Sequence, residues 1–325
     1  MIAKPLLKVL RKMVGKCTTP PKNQIKFQYE ATDEYAQYEG QQVSDLIKEE
    51  LLADKPSLIA RFGAVEIGCV MDALNRPTPQ HIWEYVSLKT DSIGWRSSTI
   101  KSMKNNAGFF SPSKKYLEQY GVLTHQLLPQ IDILGSWLKT EKYFEMELAN
   151  AIKVKLNELE PYVHENPWSS ILKEKNILVI HPFEKTIRHQ YENKRDVLFT
   201  NKEVLPEFNL QTIKAVQSIA GNKPEGFNSW FDAFEHMKAE IDKKDFDIAI
   251  IGCGAYGMPL AGYIKQKGKK AIHLGGATQM LFGIKGKRWE DNEYYRKEII
   301  NEHWIKPFKE DYPLGYENVE GGCYW

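Results

Sequence analysis

Cysteine is scarce and scattered: Cys17, Cys69, Cys253 and Cys323 stand far apart and form no CxxC pair. That spacing excludes a disulfide framework and a paired-cysteine zinc site, and it suits a reducing cytoplasm. No run of about eighteen apolar residues occurs, so no segment is expected to cross a bilayer. An excess of one charge is missing as well. The 44 Lys and Arg against 42 Asp and Glu leave a net charge of +2, and no nucleic acid is expected as a partner. The sequence lacks GxSxG, HExxH and a P-loop, and the basic loop 283–287 (GIKGK) does not supply one. What remains is ordinary globular composition, 42% hydrophobic and 26% charged, on a 325-residue chain long enough to bury a substantial core. Aromatics reach 12%, with eight Trp, a supply that suits core filling first and sugar or base stacking second.

The most informative stretch is 245–276, DFDIAIIGCGAYGMPLAGYIKQKGKKAIHLGG, which reads as strand, glycine loop, helix, strand. The branched run 248–251 has the length and composition of a parallel strand buried on both faces. Gly252, Gly254 and Gly257 follow it and open a helix that ends near Gly268. Such a turn brings backbone N–H groups and a positive helix end close to a phosphate. The spacing also matches the dinucleotide fingerprint, which requires a carboxylate at the tip of the next strand. Here that strand, 271–274, runs into Gly275 and Gly276 with no acid at its end. A nucleotide or diphosphate ligand survives this test, whereas NAD is weakened.

Further strands are expected at 57–60, 176–180 and 212–217, with helices at 41–53, following the block 61–66 through 74, and at 229–241. Residues 75–170 read as mainly helical, and a polar segment follows His181 and Pro182. Alternating short apolar strands and helices argue for an α/β fold, a mostly parallel sheet with helices on both faces. At the N-terminus, residues 1–16 (MIAKPLLKVLRKMVGK) carry five basic residues, no acid, and apolar residues at helical spacing. Such a segment can rest on an anionic membrane surface, or pack as a plain helix on the domain. Residues 1–20 are therefore set apart from a single domain at 21–325, joined through a polar linker at 18–28.

Ligands of such sheets collect at the carboxyl ends of the strands. Four polar or glycine-rich clusters fall there: 61–66, 181–184, 252–257 and 273–279. Arg61 suits a diphosphate or carboxylate, or else a structural ion pair. Glu66 suits a base toward a sugar hydroxyl, a ribose contact, or a helix-dipole partner. His181 is a donor to a phosphate or leaving group, or a buried histidine bonded to a carbonyl. Tyr256 is placed to stack on a base or to touch a sugar. His273, Thr278 and Gln279 follow the last strand. Asn228, Ser229 and Trp230 could wall an acceptor site, with Ser229 equally suited to cap a helix. Cys253 reads as a space-filling small residue rather than a nucleophile.

Two of these blocks resemble a known family. SLIARFGAVE (57–66) is similar to the Arg-Phe-Gly-x-x-Glu motif of the GT-D-type bacterial glycosyltransferases, and 250–276 is similar to their C-terminal glycine-rich strand–helix–strand unit. The resemblance implies a Rossmann-like domain that moves a sugar from a nucleotide donor, a UDP-sugar, to a glycan, lipid-linked or protein-linked acceptor in surface polysaccharide or glycoprotein assembly. The cysteine pattern sets the expected location in the cytoplasm, and the basic N-terminus allows peripheral attachment on the inner face of the membrane. Carried over, Arg61, Phe62, Gly63 and Glu66 flank the donor, and Gly252, Gly254 and Gly257 lie near its diphosphate; on the reading of the residues themselves, Tyr256 and His273 join this site and His181 assists. The family's Asp-x-Glu, associated with Mn²⁺ or Mg²⁺, is reduced here to Ala64 and Glu66. A lone glutamate holds a hard divalent ion poorly, so either transfer proceeds without metal or activity has been lost. The alternatives are a non-catalytic nucleotide- or glycan-binding component of a polysaccharide assembly system and, further off, an NAD(P)-dependent oxidoreductase.

Overall fold

The computed structural model describes residues 4–17, 29–89 and 94–325. Among them seven strands form one all-parallel sheet: β1 (Ser57–Arg61), β2 (Ile133–Ser136), β3 (Ile152–Lys155), β4 (Asn176–His181), β5 (Asn209–Lys214), β6 (Ile248–Ile251) and β7 (Lys270–His273). Their order across the sheet is β3-β2-β1-β7-β6-β4-β5. The helices that concern the site are α1 (Lys4–Cys17), α2 (Gln41–Leu52), α3 (Ala64–Ala73), α4 (Pro79–Val86), α5 (Ser97–Asn105), α6 (Lys114–Leu127), α7 (Glu184–Leu198), α8 (Trp230–Asp242) and α9 (Gly257–Gln266).

Alternation along each strand sorts the side chains into two layers, because successive Cβ atoms point to opposite faces. On β1, Leu58 and Ala60 join one core with residues of α3, α6, α8 and α9; Ile59 joins the other with residues of α2, α7 and the C-terminal segment. The same split places Ala249 and Ile251 of β6 on the first face and Ile248 and Ile250 on the second. Helices therefore cover both faces of the sheet, as an α/β, Rossmann-like fold requires.

Strands β1, β4, β6 and β7 fall within a residue or so of their expected bounds, since each is a continuous apolar run. The middle of the chain differs: 75–170 is not simply helical but contains β2 and β3. Both are four residues long, ILGS and IKVK, and their strand character comes from pairing, Ile133 with Ile152 and Ser136 with Lys155. The polar segment after His181 is a fifteen-residue helix, α7, amphipathic enough to bury Ile187 and Tyr191. Strand β5 begins three residues earlier than expected, because pairing runs from Asn176–Asn209 to His181–Lys214. Residues 215–218 instead turn over the end of the sheet. The basic N-terminal segment forms α1 over 4–17, whereas the linker expected at 18–28 lies outside the described residues.

The topology decides where a ligand can sit. From β1 the chain moves outward through β2 to β3, then crosses to β4 and β5 at the far side, and returns through β6 and β7 into the middle. Connections leave β4 and β6 in opposite directions, and such a switch point opens a crevice at the carboxyl ends of the strands.

One wall of that crevice, α5, packs on α3 and is tied to it at its start by an ion pair. Arg96 Nε lies 2.8 Å from Asp72 Oδ1 and 3.1 Å from Oδ2, and its backbone N–H reaches Oδ2 at 3.3 Å. The Asp72 side chain is only 2% exposed, so removal of either partner strands a buried charge. Asp72→Ala is expected to lower stability by about 3–5 kcal/mol in urea unfolding at neutral pH. Arg96→Lys, which keeps the charge and loses the fork, should cost less.

Candidate functional site

Register brings the expected clusters to one level. Ile180 pairs with Ile251, Ile251 with His273, and Ile59 with Ile272, so β1, β7, β6 and β4 end together. Their ends enclose a cleft of about 870 Å³. Arg61, Gly63, Glu66, His181, Gly252, Gly254, Tyr256 and His273 all line it. Phe62 and Gly257 do not; Phe62 is 3% exposed within the core.

Arg61 is the dominant charge at the floor. Its guanidinium lies 5.0 Å from the Trp137 ring centre, and among the described residues it makes no ion pair. Its Nε is buried with no hydrogen-bond partner. Trp137 is itself oriented by its indole N–H, which donates to the Phe62 carbonyl at 2.9 Å. Burial lowers the Arg61 pKa from its ordinary value, with Glu66 pulling the other way, and the group stays charged. Glu66 sits in the first turn of α3, folded back so that a Cβ on Gly63 would fall on its carboxylate. Burial raises its pKa, opposed by its own backbone N–H and by Arg61. A carboxylate made more basic beside a cation is a competent proton acceptor.

The glycine loop is more occupied than its sequence suggests. Gly254 has φ +57°, and a Cβ there would come within 2.7 Å of the Ala107 carbonyl. Ala255 N–H donates to that same carbonyl at 2.8 Å, and Tyr256 N–H to the Cys253 carbonyl at 3.3 Å. A Cβ on Gly252 would meet Gly275 and Thr278, and one on Gly257 would meet the His273 ring. All three glycines are explained by close packing. Tyr256 stacks on Trp230 with ring centres 4.6 Å apart and is 1% exposed, so its face is not free for a base. Trp230 is fully buried, and Ser229 caps α8 through Asp232; neither lines the cleft. Gln279 donates to the Ile284 and Tyr324 carbonyls, tying down the C-terminal segment. Cys253 is buried, and burial raises its thiol pKa far from reactivity.

Both cleft histidines are neutral. His181 Nδ1 accepts from the Phe183 N–H at 3.0 Å, which puts the ring proton on Nε2. His273 Nδ1 donates to the Arg61 carbonyl at 3.1 Å. Burial brings each pKa down to about 3, with Arg61 adding to the effect at His273. His181 can therefore donate one hydrogen bond but holds no positive charge near neutrality.

Two walls were not foreseen. Helix α5 presents Ser97, Ser98, Lys101, Ser102 and Asn105 to the cleft, and none of these side chains has a partner among the described residues. The other wall is the C-terminal segment, where Arg288 pairs with Glu320 and lies 4.8 Å from the Tyr324 ring. Its aromatic, glycine-rich ending, YENVEGGCYW, was the available signal. The donor set does not fit a divalent cation: position 64 at the start of α3 is an alanine, and among the described residues no three His, Cys, Asp or Glu side chains converge. Compared with known proteins, the chain matches no family model, no curated protein and no solved structure.

Beneath the floor, Glu160 is 9% exposed and accepts from the Tyr295 hydroxyl at 2.8 Å. Burial raises its pKa to about 7. A raised carboxyl pKa favours the folded state fully below pH 4.5 and loses that contribution as pH rises toward 7. The lowered histidines act the other way, contributing above pH 6.5 and losing it as pH falls toward 3. Relative to wild type, Glu160→Gln should gain stability between pH 5 and 8, by about 3 kcal/mol, in denaturant titrations across that range. Parallel curves for the two proteins would contradict it.

Proposed function

We propose that the protein is a glycosyltransferase that moves a sugar from a nucleotide-diphosphate donor, a UDP-sugar, to a glycan, lipid-linked or protein-linked acceptor hydroxyl. The observation that carries the reading is Arg61, a cation that makes no ion pair among the described residues, at the floor of a cleft of about 870 Å³ at the carboxyl ends of the central strands. Such a group suits an anion with several oxygens, and a diphosphate is one. Lys101 on α5 and Arg288 on the opposite wall add positive charge along the same cleft.

In this reading the acceptor oxygen attacks the anomeric carbon, and the bond to the diphosphate breaks. Negative charge grows on the leaving oxygen, where Arg61 and Lys101 oppose it; fixed charges at that point lower the barrier most. Glu66 takes the acceptor's proton, its basicity raised by burial. His181 contributes a hydrogen bond from Nε2 rather than a proton. The hydroxyl and amide groups of α5 are suited to sugar hydroxyls. The resemblance at 57–66 and 250–276 supports the same reading. A binding component without turnover is favoured by one feature, the alanine at position 64.

Thermal unfolding of the wild type with UDP-, GDP-, CMP- and dTDP-sugars, NAD(H) and NADP(H) tests this. A UDP-sugar is expected to raise the melting temperature, and Arg61→Ala to abolish the rise. Glu66→Gln should retain the rise and lower transfer about 10²- to 10⁴-fold. Its acid limb, displaced above the ordinary carboxylate range in the wild type, should vanish. Stabilisation by NAD(H) or NADP(H) alone would sink the transferase reading. Binding of donors with no transfer to any acceptor would assign the non-catalytic role.

A further inference from the structure

Helix α1 carries two apolar stripes, and the fold uses one. Leu7, Arg11 and Val14 face the domain: Leu7 is 2% exposed, and the Arg11 guanidinium bonds to the Tyr85 carbonyl and lies 4.6 Å from the Tyr85 ring on α4. The second stripe, Leu6, Val9, Leu10 and Met13, repeats at i, i+3, i+4 and i+7 and stays in solvent, 52%, 50%, 38% and 61% exposed. A helix that only packs on its own domain needs one apolar face. Beside the exposed ridge run Lys8, Lys12 and Lys16, one helical turn apart, and residues 4–17 contain no acid. With a net charge of +2 on the whole chain, this concentration of positive charge is local. Trp83, 59% exposed on α4, adds an amphipathic ring to the helix that carries α1.

From this arrangement we infer that α1 is a docking surface for an anionic lipid bilayer. The ridge is convex and lies on one helix, a shape that enters the boundary between headgroups and acyl chains. The adjacent lysine stems extend from that depth to the headgroup phosphates. The seated stripe stays packed on α4, so docking needs no unfolding and holds the domain against the surface. The attachment is reversible, because a single short ridge buries little area and its charge component is screened by salt. The inference stands independently of the chemistry in the cleft.

The test is co-sedimentation of the full chain with phosphatidylcholine vesicles containing increasing phosphatidylglycerol. Binding should rise with the anionic fraction and fall in about 0.5 M salt. The pair Leu6→Glu with Met13→Glu should weaken partitioning about tenfold or more. Reversal of Lys8, Lys12 and Lys16 to Glu should do the same. Met146→Glu, at a side chain 90% exposed elsewhere, should change nothing. Unchanged thermal melts would show that each variant folds. Failure to bind anionic vesicles at low salt would overturn the inference, as would a ridge variant that binds like the wild type. A concentration-dependent dimer that the ridge substitutions dissolve would also overturn it, assigning the face to a second copy of the chain.

Discussion

A half-buried guanidinium that makes no ion pair among the described residues is costly, and the arrangement around Arg61 depends on that cost. Partial desolvation of a charge is worth several kcal/mol against folding, so the surrounding structure must over-determine its position. It does so from three directions: the Trp137 ring lies beneath the charge, His273 ties the Arg61 carbonyl, and Gly275 leaves room where a Cβ would come within 3.0 Å of Nη1. A surface arginine could relax into water. Arg61 is half-buried at the end of β1 instead, and the unmet hydrogen-bonding capacity of Nε is the kind of strain that concentrates where a ligand belongs.

The polarity of the cleft follows from neutral neighbours. If His181 and His273 both ionised near neutral pH, three cations would share the floor and repel one another. Burial prevents this by bringing both pKa values to about 3, and each ring is then locked by one hydrogen bond. The positive potential is thus concentrated in Arg61, Lys101 and the partly compensated Arg288, a sparse set that leaves Glu66 as the basic group beside the floor.

Sequence revealed the sheet where single strands are apolar enough to declare themselves, as 248–251 and 176–180 do. It failed at β2 and β3, whose four residues acquire strand geometry only through pairing with neighbours. The placement of Arg61, Glu66, His181 and His273 was legible because parallel sheets gather their strand ends. Tyr256 and Trp230 were misjudged for a related reason: an aromatic near a loop looks available until the packing of its face is known, and these two cover each other. The α5 wall was hidden because Ser97, Ser98, Lys101 and Ser102 are unremarkable on a helix; its packing on α3, with the Asp72–Arg96 pair at its start, brings them to the cleft.

The glycine loop illustrates how one pattern carries two physical meanings. In a phosphate loop the glycines are needed so that backbone N–H groups remain open to the ligand. Here Gly252, Gly254 and Gly257 are each required by a protein neighbour, and the Ala255 and Tyr256 N–H groups already have carbonyl partners. The same three glycines therefore fit a tight strand-to-helix turn as well as they fit a nucleotide fingerprint. With those two amides engaged, Arg61 across the sheet is the stronger group for an anion in this cleft. A dinucleotide whose pyrophosphate relies on the amides of this turn loses two of its donors. A donor whose diphosphate is met by guanidinium and ammonium groups does not.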